Sequence, residues 1–430
     1  MNPTTLFVVG LFLLFASAVL VGELMSQLGQ LPLVGQLAVG ILLGPTLLGP
    51  ALGLGGLAAS FSGIQILATF FIMMVAGLAV TPDQIRSTGG VSVLLGIAIF
   101  TVPFLVGTGL IRLLYPGIPV LTSLFVSLTL AITALPVLGV MLREFGLLET
   151  RFGAYLLNAS LVNELIAVTV FAVLLRIWAG SGNVWYEAGI SIAFVALFLG
   201  TVLGAYLLLR VMRARNFPER AALWFRAVWR SREAGFALLV VVALGAAYYS
   251  QYLGLTYLIG AFYAGVLVTS ANERRERHIA LTRALDTISW GFFIPLFFAL
   301  VGLSMNLRLL ASGWEALAAF SALCVFAFFS KVFVGGAVTR SLRWPGNEAL
   351  GAGFLLASRG AVGLAMAATL LALGVFSVPT FTLVAAVGLV TTFLSPIGAR
   401  PFVKGLGRAP PAESLAAEPA SPIRAGPTPP

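Results

Sequence analysis

Charged residues are scarce in this sequence of 430 residues: Asp, Glu, Lys and Arg make up 9%, while hydrophobic residues make up 60%. A soluble protein carries about 25% charged residues, so a soluble globular fold is excluded. The chain has one cysteine, Cys324, and one histidine, His278. An intrachain disulfide and metal centres built from cysteine or histidine are therefore excluded. The sequence also lacks a strand–glycine loop–helix unit, so we expect no nucleotide-binding domain and no cofactor.

The hydrophobic residues fall into blocks of about 20 residues, the length that a helix needs to cross hydrocarbon. The first block begins at Thr5 without a charged leader or a cleavage pattern, so we expect it to be retained as a helix. The sequence predicts an all-α polytopic membrane protein with 13 transmembrane segments, at about residues 5–28, 31–50, 61–80, 91–114, 119–142, 152–178, 188–211, 233–251, 254–271, 286–306, 314–338, 348–375 and 377–399. Residues 1–404 form one transmembrane domain in this interpretation. Residues 405–430 are rich in Pro and Ala and are predicted to be a disordered cytoplasmic tail.

Basic residues are distributed asymmetrically between the predicted segments. If the 13 segments alternate in direction, 20 Lys and Arg residues fall on one side of the membrane and 3 on the other. The positive-inside rule then places the N-terminus outside and the C-terminus in the cytoplasm, in the cell (inner or plasma) membrane. Anionic lipid headgroups beside these arginines account for the net charge of +10 without a nucleic-acid partner.

Three charged residues lie near the middle of their apolar segments: Glu164, Lys331 and Arg359. At about 1.5 Å per helical residue, each lies roughly 14–20 Å from its segment ends, near the middle of the bilayer. Such charges are costly and mark ion pathways or pairs. Simpler interpretations remain open, because Lys331 can extend its amine toward the cytoplasm. Arg359 can bind carbonyls or Glu164 without touching the substrate, and Glu164 can be the counter-ion of a structural pair.

Two segments contain helix breakers at this depth, in "LTLAITALPVLGV" of the fifth and "FLLASRGAVGLA" of the twelfth. Irregular backbone inside a membrane must line a cavity or pack in protein. If segments 2–6 and 9–13 are two repeats, the broken segment is the fourth segment of each repeat. Corresponding segments are seven apart, and because seven is odd, the two repeats have opposite orientations in the membrane. Broken helices at matched positions indicate an ion-transport site. The predicted unwound helices contain Thr129, Thr133, Pro136, Ser358 and Gly360.

Several motifs resemble the monovalent cation:proton antiporter-2 family over about residues 8–400. "ITALPVLGVMLREFGLLETRFG" followed by "VNEL" is similar to plant-type cation/proton exchangers and their bacterial relatives, and "LIGAFYAGVLV" and "FFIPLFFALVGLSMNL" continue the match. The resemblance implies a sodium/proton antiporter fold with two crossed, discontinuous helices. It also implies an elevator-type exchanger, usually homodimeric, with a core bundle that carries the ion site and a dimerisation bundle.

The resemblance also assigns site residues. The family's ion-binding pair of Asn-Asp or Asp-Asp corresponds to Asn163 and Glu164, its core lysine to Lys331, and the threonine of its unwound helix to Thr133. The glutamate at 164 departs from the family's aspartate, and Gln36 stands where a glutamate is usual. "SRGAVGLAMA" looks more like the related antiporter-1 branch, in which an arginine occupies this helix.

The expected mechanism is competition between protons and a monovalent cation, Na⁺ or K⁺, for Glu164. Ser160 lies four residues before Glu164, on the same helical face. Asn163, Ser160 and the carbonyls near Thr133 can add oxygen ligands. Either ion neutralises the carboxylate, so the core can cross the membrane only when loaded. An asparagine in the first position is associated in the family with electroneutral exchange, which we expect here.

The sequence fits an exchanger better than three rival classes of protein. A sodium-coupled organic solute symporter of the same inverted-repeat architecture needs a larger polar cavity and more ion ligands than one acid supplies. A channel shows filter loops or rings of charge, which this sequence lacks. An intramembrane enzyme needs a nucleophile–base or metal set, which isolated Cys324 and His278 do not provide.

Overall fold

The structure is a computed structural model. It describes residues 3–49, 60–78, 89–148, 150–180, 184–214, 234–253, 255–271, 283–285, 287–310, 313–403 and 406. His278 and all of the predicted tail 405–430 except Leu406 lie outside the described residues. The predicted disorder of the tail therefore stays a prediction.

The described residues form α-helices and contain no strand. A π-helical turn, Ser289–Phe293, leads into one of the helices. The helices are α1 Pro3–Gln27, α2 Pro32–Leu43, α3 Ser62–Leu78, α4 Gly89–Leu114, α5 Val120–Ala131, α6 Leu135–Glu144, α7 Arg151–Ala179, α8 Val184–Ala214, α9 Ala234–Tyr252, α10 Tyr257–Ala271, α11 Ile294–Leu303, α12 Trp314–Ser341, α13 Gly346–Leu356, α14 Ala361–Ala372 and α15 Val378–Val403.

The lengths of these helices fit a polytopic membrane protein. Within the described residues, 7 helical stretches are long and apolar enough to cross a membrane, and shorter apolar helices lie between them. Each segment predicted from the sequence coincides with one or the other. The all-helical membrane fold is thus confirmed, while the number of 13 spans stays a prediction.

The helices pack in two bundles. The scaffold bundle contains α1, α2, α3, α9, α10 and α11, in which α2 packs on α11 and α3 packs on α10. The site bundle contains α4, α5, α6, α7, α12, α13, α14 and α15. Helix α8 contacts both bundles, and α14 reaches across to α3 and α11.

Two pairs of glycines make close helix contacts in the scaffold bundle. Gly40 of α2 faces Gly302 of α11, and Gly77 of α3 faces Gly265 of α10. A β-carbon at any of the four would lie between 1.8 and 2.3 Å from a backbone oxygen of the facing helix, so only glycine permits these contacts. Gly265 follows Gly40 by 225 residues, and Gly302 follows Gly77 by the same 225. The two contacts are therefore equivalent in the two repeats.

The broken helices obey the same spacing. The C-cap residue of α5 is Ile132, and that of α13 is Ala357, again 225 residues later. Residues 132–134 and 357–360 are not helical, so each helix is interrupted inside its segment. A β-carbon at Gly360 would lie 2.5 Å from the side chains of both Ala134 and Val137, so the two breaks touch each other. The crossing of two discontinuous helices is thus present.

The breaks are shorter than the sequence predicts. Ser358 and Gly360 lie in the second break, whereas Thr129 and Pro136 lie in the helices on either side of the first break. The Thr129 hydroxyl donates to the carbonyl of Val126 at 2.7 Å, a bond that a helix accommodates. Pro136 lies in the first turn of α6, where its missing N–H leaves no helical bond unmade.

Candidate functional site

Thr133 lies in the first break and joins three separate elements. Its hydroxyl accepts a hydrogen bond from Lys331 Nζ of α12 at 2.5 Å. The same hydroxyl donates to the carbonyl of Leu356, the last residue of α13, at 2.9 Å. Lys331 and Thr133 have no solvent-exposed surface. The ammonium therefore lies near the carbonyl end of a half-helix, where the helix dipole favours a cation.

Asn163 of α7 closes the backbone of the first break. Its Oδ1 accepts from the Thr133 N–H at 2.8 Å, and its Nδ2 donates to the carbonyl of Ala131, the last residue of α5, at 3.2 Å. Ser160 Oγ, one turn earlier, donates to the Thr133 carbonyl at 3.4 Å. These three bonds satisfy backbone groups that a broken helix leaves without partners. In this conformation, the Asn163 oxygen is engaged with the protein itself.

Glu164 is the neighbour of Asn163 and is completely buried. Among the described residues, neither of its carboxylate oxygens has a hydrogen-bond partner. The backbone N–H of Leu135, the first residue of α6, lies near the carboxylate without a hydrogen bond to it. The amide end of a half-helix favours a negative charge. Glu164 is thus a carboxylate with two uncommitted oxygens beside the break.

Arg359 lies in the second break and is 4% exposed. Its backbone N–H and carbonyl both bond the Thr392 hydroxyl of α15, at 3.2 and 2.6 Å. The guanidinium Nη2 donates to the carbonyl of Ala327 in α12 at 2.8 Å, while Nε and Nη1 have no partner among the described residues. The guanidinium acts electrostatically on Lys331. The core therefore holds two basic groups near each other.

The structure brings most of the predicted site residues into one place. Thr133, Asn163, Ser160 and Lys331 share one hydrogen-bonded group, and Glu164 adjoins it in sequence. Ser358 is separate, because its hydroxyl donates to its own helix at the Leu355 carbonyl. Within the described residues, no group of three His, Cys, Asp or Glu side chains is placed to hold a metal ion. A cation at this site would rely on Glu164.

Thr392 carries no sequence signal that marks it as part of the site. It is one of several threonines in an apolar segment. Its hydroxyl bonds the Gly388 carbonyl of its own helix and the backbone N–H and carbonyl of Arg359. Through Arg359, it holds the backbone of the second break. Only the position of a break in three dimensions can identify such a residue.

Residues 11–405 match the family described as sodium/hydrogen exchanger, transmembrane. The chain belongs to the sodium/hydrogen exchanger family. This result confirms the resemblance seen in the motifs. Members of this family are transporters and not enzymes, and the exchanger described here is a multi-pass membrane transporter for cation:proton antiport.

Individual relatives agree with the family. The exchanger is 25% identical to the Na⁺/H⁺-K⁺ antiporter GerN of Bacillus cereus, over 89% of this chain and 93% of the relative. It is 27% identical to the Na⁺/H⁺ antiporter NhaS4 of a Synechocystis species, over 92% and 96% of the two chains. The solved structure of the sodium proton antiporter MjNhaP1 from Methanocaldococcus jannaschii at pH 8 superposes with a TM-score of 0.72, at 15% identity, over 94% of this chain and all of the other. The last comparison shows that the fold is shared.

Proposed function

We propose that this exchanger moves Na⁺ or K⁺ against protons, with both ions competing for Glu164. The observation that carries the proposal is the Glu164 carboxylate: it is completely buried, and its two oxygens have no partner among the described residues. A structural ion pair would have used at least one of these oxygens. A carboxylate that binds and releases ions must instead keep them free.

The energetics of burial explain why the two ions compete. An isolated carboxylate in a medium of low dielectric constant is very costly, so it must be neutralised or paired. A proton neutralises Glu164, and so does one monovalent cation. Loss of one ion therefore favours uptake of the other. While neither ion is bound, the amide end of α6 lowers the energetic cost of the charged carboxylate.

One charge exchanged for one charge implies electroneutral transport with a 1:1 stoichiometry. Asn163 at the first position of the pair supports this stoichiometry, because it adds an oxygen without a second negative charge. To serve as a metal ligand beside Glu164, its Oδ1 must leave the Thr133 N–H. The bound state would then differ from this structure in the first break. Ser160 and the carbonyl of Thr133 are further candidate oxygens for the cation.

Lys331 and Arg359 are proposed to set the electrostatic potential of the site. Lys331 holds the first break to the end of α13 through Thr133. Arg359 supplies a second positive charge in the core and makes no hydrogen bond to Glu164, whose oxygens have no described partner. Two cations in a core that holds one carboxylate disfavour a second bound metal ion. This arrangement supports a site that holds one monovalent cation at a time.

The two bundles suggest how access alternates. We propose that the site bundle moves as an elevator against the scaffold bundle, which also forms a homodimer. The predicted orientation has the N-terminus outside and the C-terminus in the cytoplasm of the cell membrane. The names of GerN and NhaS4 include Na⁺, and that of GerN also includes K⁺; both ions are therefore candidates here.

The decisive variant is Glu164→Gln, which keeps the size of the side chain and removes its charge. Purified protein in liposomes with an internal pH dye is expected to lose cation-driven proton flux entirely. Glu164→Asp is the matched control and is expected to retain exchange, with a changed preference between Na⁺ and K⁺. Full exchange by Glu164→Gln would refute the proposal. Uptake of an organic solute driven by Na⁺, without proton flux, would favour the symporter alternative.

A further inference from the structure

A small cavity lies where the two bundles meet. It has a volume of about 70 Å³ and is bordered by α3, α10 and α14. This is room for about two water molecules, at roughly 30 Å³ each in the liquid. Its lining includes the oxygen-bearing side chains of Ser62, Gln65, Thr69, Tyr257 and Thr369. The other lining residues are apolar, so the oxygens provide the polar contacts.

The hydroxyl oxygens of this cavity are arranged as acceptors. Thr69 Oγ1 donates its proton to the Gln65 carbonyl at 2.6 Å, and Thr369 Oγ1 donates to the Ala365 carbonyl at 2.9 Å. Each hydroxyl has one proton and two lone pairs, so both threonines have lone pairs left for another group. The Tyr257 side chain lines the same cavity, near both of them. The cavity therefore lies between the scaffold bundle, which contains Thr69 and Tyr257, and the site bundle, which contains Thr369.

The cavity lies on the outer side of the breaks in the predicted orientation of the chain. Thr369 is eight residues beyond Ala361, the first residue of α14. Thr369 therefore lies about 12 Å along the helix from the second break. A second tyrosine of α10, Tyr263, interacts with Thr169 of α7, five residues beyond Glu164. Hydroxyl groups thus occur at two levels of the contact between α10 and the site bundle. Both levels lie on the side of the breaks that is predicted to face outward.

We propose that this cavity is a second, transient binding site for the transported monovalent cation, between Glu164 and the outer side, and that the Tyr257 hydroxyl is one of its oxygen ligands. This inference rests on the proposed cation exchange. Uncharged oxygens from Gln65, Thr69, Tyr257 and Thr369 replace part of a hydration shell, as oxygen ligands do for hard cations. A site without a carboxylate binds weakly, which allows the ion to leave toward Glu164.

The test uses Thr369→Val, which keeps the shape of the side chain and removes its oxygen. Right-side-out and inverted membrane vesicles from cells that express the protein present opposite faces to added Na⁺ or K⁺. With the cation added at the outer face, the KM is expected to rise about 3- to 10-fold, the size of one lost polar contact. With the cation added at the inner face, the KM is expected to stay unchanged. Tyr257→Phe is expected to raise the same KM in the same direction.

The controls separate this inference from the proposed function. Thr369→Ser keeps the oxygen and is expected to restore the wild-type KM. Thr108→Val removes a hydroxyl with the same type of bond, to the Phe104 carbonyl in α4, and is expected to change neither face. An unchanged KM at both faces, or an equal rise at both, in Thr369→Val and Tyr257→Phe would overturn the second site. An absence of exchange in the wild-type protein would overturn the proposed function itself.

Discussion

Removal of the Thr133 hydroxyl is expected to weaken the contact between the two broken helices. In Thr133→Val, Lys331 Nζ loses its described partner and the Leu356 carbonyl loses its donor. A hydrogen bond to a charged group contributes about 1.5–3 kcal/mol, and a neutral one about 0.5–1.5 kcal/mol. The variant is therefore expected to lose about 2–4 kcal/mol of stability. The bond from the Thr133 N–H to Asn163 remains, because it involves the backbone.

Unfolding of the purified protein in detergent, followed as a function of denaturant, measures this loss. Thr133→Ser keeps the hydroxyl and is expected to recover most of the stability. Thr129→Val is the matched control, because that hydroxyl bonds only the Val126 carbonyl in its own helix. Stability equal to wild type in Thr133→Val, or an equal loss in Thr133→Ser, would refute the role assigned to this hydroxyl.

Two further substitutions test the core. Arg359→Met is expected to reduce exchange but to leave the stability of the protein unchanged or higher. Two guanidinium nitrogens have no described partner, and apolar replacements of buried charges are often neutral or stabilising. A loss of more than about 3 kcal/mol in the free energy of unfolding would contradict this, because breaking a buried pair costs that much. Gly360→Val is expected to prevent the two breaks from touching, since a β-carbon there would lie 2.5 Å from the side chains of Ala134 and Val137. Size-exclusion chromatography should then show aggregated or unfolded protein, and a monodisperse peak would contradict a tight crossing. Gly139→Ala is the control, because a β-carbon at Gly139 meets nothing within 4 Å.

The sequence predicts the class of fold and the position of the breaks well. Hydrophobic blocks define the helices, and the prolines, glycines and charges of the fifth and twelfth segments mark where the helices are interrupted. Thr129 and Pro136 are the exceptions, because both residues are compatible with a helix next to the break. The exact break depends on where backbone groups find partners. At the first break, the Thr133 N–H and the Ala131 carbonyl find their partner in the Asn163 side chain, which is distant in sequence.

The candidate site is less predictable than the fold. A charge inside an apolar segment is visible in the sequence, so Glu164, Lys331 and Arg359 stand out. Their connections do not, because they depend on how α7, α12 and the two breaks pack. The sequence leaves open whether Arg359 pairs with Glu164, whereas the structure joins Arg359 to the Ala327 carbonyl. The spacing of 225 residues is likewise hidden until the facing glycines are seen.

The most direct test of the central claim is the KM for the cation as a function of pH. Initial rates of exchange are measured in proteoliposomes over a range of Na⁺ or K⁺ concentrations at each pH. If one cation displaces one proton from Glu164, a lower pH raises the KM, toward about tenfold per pH unit once the site is mostly protonated, while the maximal rate stays constant. A KM that does not change with pH, or a maximal rate that falls while the KM stays fixed, would contradict competition at Glu164.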